Sequence, residues 1–153
     1  MKRHAERPKG IHTWLLMLRA SQSIAHYLLP PVIKAGLGDS DFRVLDVLLH
    51  KGSMPVNTIG PLVNLNPGSV SVAVDRLHKK GLVSRIESKD DRRVRTVSLT
   101  EKGREMFVPL FRQHANLAEK PFRDISPVEQ RQLEDMLKRI GKRAEALRTE
   151  EKY

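Results

Sequence analysis

The 153-residue chain contains no cysteine. It can therefore form no disulfide bond and has no thiol that could sense oxidants or act as a nucleophile. Aromatic residues are also scarce, with four Phe, two Tyr and one Trp in the chain and none between residues 66 and 100. Proteins that recognise single-stranded RNA stack its bases on aromatic side chains. The scarcity of such side chains argues against an RNA-binding or ribosome-associated protein.

Long apolar runs are absent as well. No run approaches the roughly 20 residues that a membrane-spanning helix needs, and the N-terminal MKRHAERPKG leads into an amphipathic stretch, not a cleavable apolar one. We therefore expect a cytoplasmic protein with no membrane partner. A chain of this length suits a single domain, residues 1–153, with a substantial core.

The short motifs of common enzymes and metal sites are missing too. There is no G-x-S-x-G and no phosphate-binding P-loop. The chain has six histidines, but none stands in an H-x-x-x-H or H-E-x-x-H spacing and no cysteine pair accompanies them. We expect neither an enzyme nor a protein with a metal or other cofactor.

Positive charge is what the chain has in excess. It carries 28 Lys and Arg against 18 Asp and Glu. Residues 76–95 hold eight basic and three acidic residues, a net charge of +5, whereas residues 20–75 carry a net charge of −1. Such a local excess favours phosphate binding, although an isolated charge run is usually a solvated face. The secondary structure predicted for residues 76–95 therefore decides whether this charge binds phosphates or is only a solvated face.

Residues 66–81 predict a helix with one apolar and one exposed face. Asn66 is a good N-cap, Pro67 suits the first helical position, and Gly81 ends the helix. At about 100° per residue, one face comprises Val70, Ala73, Val74 and Leu77, and the other Gly68, Val72, Asp75, Arg76 and Lys79. The segments LVSRIE and VRTVSL then alternate as paired strands do, around a charged tip, SKDDRR. A helix followed by a basic hairpin is typical of a DNA-reading module.

Upstream of this module, the pattern predicts three helices. An apolar stripe marks the first helix until the proline pair at 30 and 31 breaks or kinks it. We expect Ser40 to cap the second. An extended piece around Ser53–Met54 and a brief helix near Val56–Val63 follow, and Asn64–Asn66 would form the turn of a helix-turn-helix.

Downstream, the pattern predicts two long amphipathic helices. We expect Thr100 to cap the fifth helix, whose apolar side comprises Phe107, Leu110, Phe111, His114, Ala118 and Phe122. Ser126 and Glu129 match a capping box, and the last helix repeats Leu133, Leu137, Ile140, Ala144 and Leu147 at alternating steps of four and three. The apolar stripes of these two helices and of the first helix are more than a small lobe needs for its own core. This surplus favours a helical dimer interface over packing within the chain alone.

Three stretches of the sequence resemble the MarR (multiple antibiotic resistance regulator) family. The run DRRVRTVSLTEKG matches the signature D-x-R-x-x-x-V-x-L-T, with Asp91, Arg93, Val97, Leu99 and Thr100 in place. VDRLHKKGLVSR and ISPVEQRQLEDMLKRI are similar to the end of the family's recognition helix and to its last helix. The resemblance extends over residues 11–148. It implies a mainly α fold with a small β-hairpin wing, in which a winged helix-turn-helix lobe at about 36–100 is flanked by dimerisation helices at about 11–35 and 101–148.

The expected DNA contacts follow from position along the helix and the wing. The N-terminal end of a recognition helix meets base edges, and residues a turn further on, such as Arg76, contact phosphates. In the wing, Arg93 is expected to enter the minor groove. By resemblance to the family motif Asp91 would orient it, with an Asx turn as the alternative role. The predicted DNA-binding residues are Asn66, Gly68, Ser69, Ser71, Val72, Arg76, Lys79, Lys89, Asp91, Arg92 and Arg93.

The resemblance also implies an oligomeric state, a DNA target and a mode of regulation. It predicts a homodimer on a pseudo-palindromic operator, acting as a repressor that a small aromatic or phenolic effector releases. The stretch MPVNTIG is similar to the corresponding segment of a subgroup of the family that responds to catechols and quinones. The candidate effector contacts are Trp14, Met17, His26, Phe42, Phe107, Phe111 and His114, which would otherwise be core residues. A low-specificity architectural DNA-binding protein without ligand control is the alternative function.

Overall fold

The computed structural model of the protein describes residues 8–87 and 95–150. Its helices are α1 (Lys9–Lys34), α2 (Asp39–Lys51), α3 (Val56–Val63), α4 (Pro67–Lys79), α5 (Glu101–Ala118) and α6 (Pro127–Glu150), with a 3₁₀ turn at Lys120–Phe122. Its strands are β1 (Met54–Pro55), β2 (Val83–Glu87) and β3 (Arg95–Leu99). The prediction of a mainly helical fold with a small β-wing is confirmed.

The chain divides into two compact units, one extending to Asn116 and one beginning at Leu117. The first unit contains the helix-turn-helix, the strands and the helices around them. The second consists mainly of α6. No helix within residues 8–87 and 95–150 is both long and apolar enough to cross a membrane.

The sheet has three strands in the order β1-β3-β2, and both pairings are antiparallel. The predicted hairpin is present, with Val83 opposite Leu99 and Arg85 opposite Val97. The extended piece predicted before α3 is also present, but it pairs with β3, and Met54 lies opposite Val97. Its membership of the sheet was not predicted, because two residues are too few to show the alternation of a strand.

The core of the first unit lies where α2, α4, α5 and the sheet meet. Leu45, Leu77, Val97 and Phe107 are fully buried there. The predicted inner face of α4 is confirmed, since Val70, Ala73, Val74 and Leu77 are each at most 2% exposed. The opposite face of α4 is therefore the one that this unit presents to solvent.

Of the two expected effects of the proline pair on α1, a break or a kink, the break is wrong. The helix continues through both prolines to Lys34. A proline lacks the N–H but keeps its carbonyl acceptor, and the carbonyl of Pro31 accepts from the N–H of Ala35 at 3.0 Å. Val32, in this last turn, is 2% exposed, so burial in the core stabilises the turn that follows the prolines.

Two other boundary predictions need correction. Ser40 does not cap α2, because the cap is Gly38, whose N–H donates to the carboxylate of Asp41 at 3.0 Å. Phe122 does not lie on α5, because that helix ends at Ala118 and Phe122 belongs to the 3₁₀ turn. The predicted cap of α5 is confirmed, since the N–H of Gly103 donates to the Thr100 hydroxyl at 3.0 Å.

The second unit begins its long helix as the sequence predicts. The N–H of Ser126 donates to the Glu129 carboxylate at 2.8 Å, and the N–H of Glu129 donates to the Ser126 hydroxyl at 3.3 Å. These reciprocal bonds form the expected capping box. The apolar seam of α6 is largely exposed, and Leu137 and Ile140 show 40% and 45% of their surface.

Two glycines provide a test of the packing. A Cβ on Gly103 would overlap the carbonyl oxygen of Leu82, whereas a Cβ on Gly141 would meet no atom within 4 Å. We expect Gly103→Ala to lower the free energy of unfolding by about 1–3 kcal/mol through overpacking. Gly141→Ala, the matched control in a helix interior, should raise it by about 0.5–1 kcal/mol. Urea unfolding measures both, and equal effects of the two substitutions would contradict the close approach of α5 to Leu82.

Candidate nucleic-acid interface

The turn between α3 and α4 is built from three residues with distinct backbone roles. Asn64 ends α3 in the left-handed conformation, with φ of 53°, which Asn tolerates better than most residues. The N–H of Leu65 then donates to the carbonyl of Gly60 at 3.0 Å. Asn66 begins α4, and its side-chain oxygen accepts from the N–H of Ser69 at 2.8 Å. The predicted helix-turn-helix is thus present at the predicted residues.

The N-terminal end of α4 presents small and polar groups to solvent. Gly68, Ser71 and Val72 are exposed and Ser69 is partly exposed. Because Val72 leaves 52% of its surface in water, its methyl groups are available to an apolar partner such as a thymine methyl. The four residues thus form a surface with hydroxyl donors, an apolar contact and space for close backbone approach.

Arg76 reaches this surface but its guanidinium is already bound within the protein. Its Nε and Nη2 donate to the Asp41 carboxylate at 3.1 and 2.8 Å, and Nη2 also donates to the Ser40 hydroxyl at 3.0 Å. Sequence analysis gave these α2 residues no part in the interface. They are about 35 residues from Arg76 along the chain, and no local pattern connects them.

A second ion pair joins the recognition helix to the wing. Arg85 on β2 donates to the carboxylate of Asp75 on α4. The hydrogen bond and the positive charge of Arg85 lower the pKa of Asp75, so this carboxylate stays ionised. Lys79, the remaining basic residue of the outer face of α4, is exposed. The direction of the wing is therefore tied to that of α4.

A crevice of about 300 Å³ lies beside α1, α2 and α5. Its lining is mainly apolar with several polar groups: Ser21, Ile24, Ala25, Leu28, Leu29, Val32, Asp39, Phe42, Arg43, Asp46 and His114. Burial lowers the pKa of His114, against the opposing charges of Asp46 and Asp39, and the His114 ring lies 4.2 Å from that of Phe42.

Only two of the seven candidate effector residues line this crevice. They are Phe42 and His114. Phe107 is fully buried in the core, Phe111 packs against the ring of His50 at 4.7 Å, and Trp14 is 58% exposed. Met17 and His26 do not line the crevice either. The search for aromatic side chains thus found two of the residues that line the crevice. The apolar lining residues of α1 were missed because their sequence pattern is the same as that of ordinary core residues.

Comparison with known proteins places this arrangement in a family. The MarR family profile matches residues 37–94, the helix-turn-helix and the first part of the wing. The HTH-type transcriptional regulator MhqR of Bacillus subtilis is 35% identical over 133 residues, which cover 87% of this chain and 92% of that protein. The chain belongs to the MarR family.

Solved structures agree with this assignment. A MarR-family regulator from Silicibacter pomeroyi superposes with a TM-score of 0.71 at 26% identity, covering 82% of this chain and 84% of that one. BpsR of Bordetella bronchiseptica, whose DNA binding is regulated by 6-hydroxynicotinic acid, shares the fold with a TM-score of 0.73 at 22% identity, covering 85% of this chain and 98% of that one. The protein is thus a DNA-binding transcriptional regulator of the MarR family and not an enzyme.

The MarR-family signature in the wing divides into structural and functional positions. Val97 is fully buried and Thr100 caps α5, so these signature residues serve the fold. Four predicted DNA contacts, Lys89, Asp91, Arg92 and Arg93, lie outside the described residues. The minor-groove role of Arg93 and its orientation by Asp91 stay predictions.

Two substitutions of Asn66 separate its capping role from its place at the MarR-family interface. Asn66→Asp keeps an oxygen that accepts from Ser69, so stability should be unchanged, whereas Asn66→Ala should cost about 1 kcal/mol. The new carboxylate of Asn66→Asp should repel phosphates and weaken DNA binding without unfolding. Urea unfolding and fluorescence anisotropy with labelled duplex measure the two effects. A stable Asn66→Asp variant with wild-type affinity would remove Asn66 from the interface.

Proposed function

We propose that this MarR-family regulator is a homodimer that binds a pseudo-palindromic operator and represses transcription from it. The observation that carries the proposal is the exposed N-terminal end of α4, where Gly68, Ser69, Ser71 and Val72 follow a fixed helix cap. Hydroxyl and methyl groups distinguish base edges in the major groove. An architectural protein needs only charge and shape, so this chemistry favours sequence-specific recognition.

The geometry of a two-fold dimer determines the form of the operator. Symmetry-related recognition helices enter major grooves about one helical turn apart, and the operator then repeats the symmetry of the protein. The expected site is a pseudo-palindrome of roughly 16–20 base pairs. The basic residues at the end of α4 and in the wing would contact phosphates outside the bases that each α4 reads.

Exposed apolar residues on two helices support the homodimer. On α6, Leu137, Ile140 and Leu147 follow the seam spacing and remain 37–45% exposed. On α1, Ile11 and Trp14 expose 47% and 58% of their surfaces. Exposed apolar patches mark protein interfaces, and the spacing of the α6 seam is suited to a helical partner.

Selection of preferred sites from random duplex DNA tests the proposed function. We expect a pseudo-palindromic motif, bound about 10³-fold or more tightly than a scrambled duplex of equal length and composition at the same salt concentration. Anisotropy titrations of both duplexes measure the ratio. Equal affinity for the two would identify the protein as a low-specificity architectural binder.

Sedimentation velocity tests the dimer. At micromolar concentration the full chain should sediment as a dimer, and Ile140→Glu should yield monomer or aggregate because it places a charge in the seam. Ala146→Glu introduces the same charge on the opposite side of α6 and should leave the dimer intact. A well-behaved monomer of the unsubstituted chain would contradict the dimeric arrangement.

We also infer that a small aromatic or phenolic compound binds the crevice and releases the operator. The apolar lining suits an aromatic ring, and Arg43, His114, Asp39 and Asp46 offer hydrogen-bond partners to its hydroxyl groups. The regulation of the fold neighbour BpsR by 6-hydroxynicotinic acid supports this class of ligand. Release requires only that the effector prefer a conformation in which the two α4 helices no longer match successive grooves.

Gel-shift titrations with salicylate, catechol and quinone-like compounds test the effector. An active compound should lower operator affinity 5- to 150-fold, which corresponds to a coupling of about 1–3 kcal/mol. Because the chain has no cysteine, the response to salicylate, which does not react with thiols, should be the same with and without dithiothreitol. Ala25→Phe, which fills the crevice, should abolish the response and keep operator binding. An unaltered response in this variant would place the effector elsewhere.

A further inference from the structure

Asp41 is an unusual residue to find beside a DNA-binding surface. It is 2% exposed and is the only buried charged residue among those that the structure describes. Its carboxylate accepts from the Gly38 N–H at 3.0 Å and from Nε and Nη2 of Arg76 at 3.1 and 2.8 Å. A carboxylate close to the DNA-binding surface opposes attraction to phosphates. Capping of α2 accounts for the bond to Gly38 but not for the pairing with Arg76.

The bonds to Asp41 hold Arg76 in one orientation at the surface that α4 presents. The Arg76 side chain is 43% exposed although Nε and Nη2 are bound within the protein. Its third nitrogen, Nη1, makes no hydrogen bond with any residue in the ranges 8–87 and 95–150. The Arg76 side chain also lines a shallow groove together with Ser40, Asn66, Gly68, Ser69 and Val72. An oriented pair of N–H donors is thus available beside the predicted base-reading residues.

Stability of the fold does not account for this ion pair. Leu45 and Leu48 of α2 and Val74 and Leu77 of α4 already belong to one buried apolar cluster. A buried ion pair contributes little beyond what apolar residues of similar size supply. An orienting role accounts for it, because a planar guanidinium that is already fixed loses less freedom when it binds a phosphate.

We propose that Asp41 is a positioning residue for operator recognition, which holds the Arg76 guanidinium so that Nη1 donates to one backbone phosphate and sets the register of α4 on the bases. The inference rests on the proposed sequence-specific function. Phosphate contacts fix the orientation of a protein on the duplex without reading sequence themselves. Loss of this contact geometry therefore affects the operator and leaves non-specific attraction, which depends on charge, unimpaired.

Asp41→Asn tests the proposal with two probes, the duplex obtained by site selection and a scrambled duplex of equal length and composition. The amide keeps an acceptor for Gly38 and removes the charge that holds Arg76. We expect about tenfold weaker binding to the selected site. Binding to the scrambled duplex should be unchanged or tighter, because a negative charge has left the surface. Asp124→Asn, which makes the same change of charge at an exposed turn, should leave the affinity ratio of the two probes as in the wild type.

Substitutions of Arg76 separate geometry from charge. Arg76→Lys keeps the charge but has a single nitrogen in place of the Nε and Nη2 that bind Asp41, so it should reproduce the loss of Asp41→Asn on the selected site alone. Arg76→Ala should weaken binding to both probes. In the Arg76→Ala background, Asp41→Asn should cause no further loss of affinity for the selected site, since Asp41 acts through Arg76.

The outcomes are distinguishable. An equal loss on both probes for Asp41→Asn, or no loss on either, overturns the positioning role while the wild-type preference for the selected site upholds the proposed function. If the wild type does not prefer the selected site, both proposals fail. If circular dichroism shows that Asp41→Asn is unfolded, Arg76→Lys decides: a loss confined to the selected site supports the role, and wild-type affinity for that site overturns it.

Discussion

Burial of the inner face of α4 orients every group that this helix offers to DNA. Val70, Val74 and Leu77 are each at most 2% exposed, and burying such side chains contributes about 1.5–3 kcal/mol each. Since each helical residue is rotated about 100° from the last, a rotation of α4 by one residue would bring Ser71 into the core and lift Val70 into solvent. The rotational setting of the base-reading residues is thus determined by hydrophobic packing on the opposite side of the helix.

Two carboxylates within the basic surface complete this arrangement by pairing with arginines. Asp41 connects α2 to α4 through Arg76, and Asp75 connects α4 to the wing through Arg85. Each carboxylate lowers the net positive charge of the interface and also restricts the orientation of one arginine side chain. The net charge of +5 in residues 76–95 therefore overstates the charge that DNA would meet, and the surface is more structured than its composition suggests.

Sequence analysis succeeded where the signals are local. The cap at Asn66, the periodicity of α4 and the Ser126–Glu129 capping box each lie within one or two helical turns, and the structure contains all of them. It failed where the deciding contact is distant. Strand β1 is recognisable only through its pairing with β3, and the partner of Arg76 lies 35 residues away. The α2 cap was misassigned because Ser40 is the better capping residue in isolation, while Gly38 gains the Asp41 carboxylate.

The start of α5 is bonded to three consecutive carbonyls at the end of the reading helix. The Lys102 ammonium donates to Lys80 O at 2.9 Å, the Thr100 hydroxyl to Gly81 O at 2.7 Å, and the Thr100 N–H to Leu82 O at 3.1 Å. The strands that lead into and out of the wing thus share one fixed base. A torque that a bound duplex exerts on β2 and β3 would therefore be carried into α5 as well as α4.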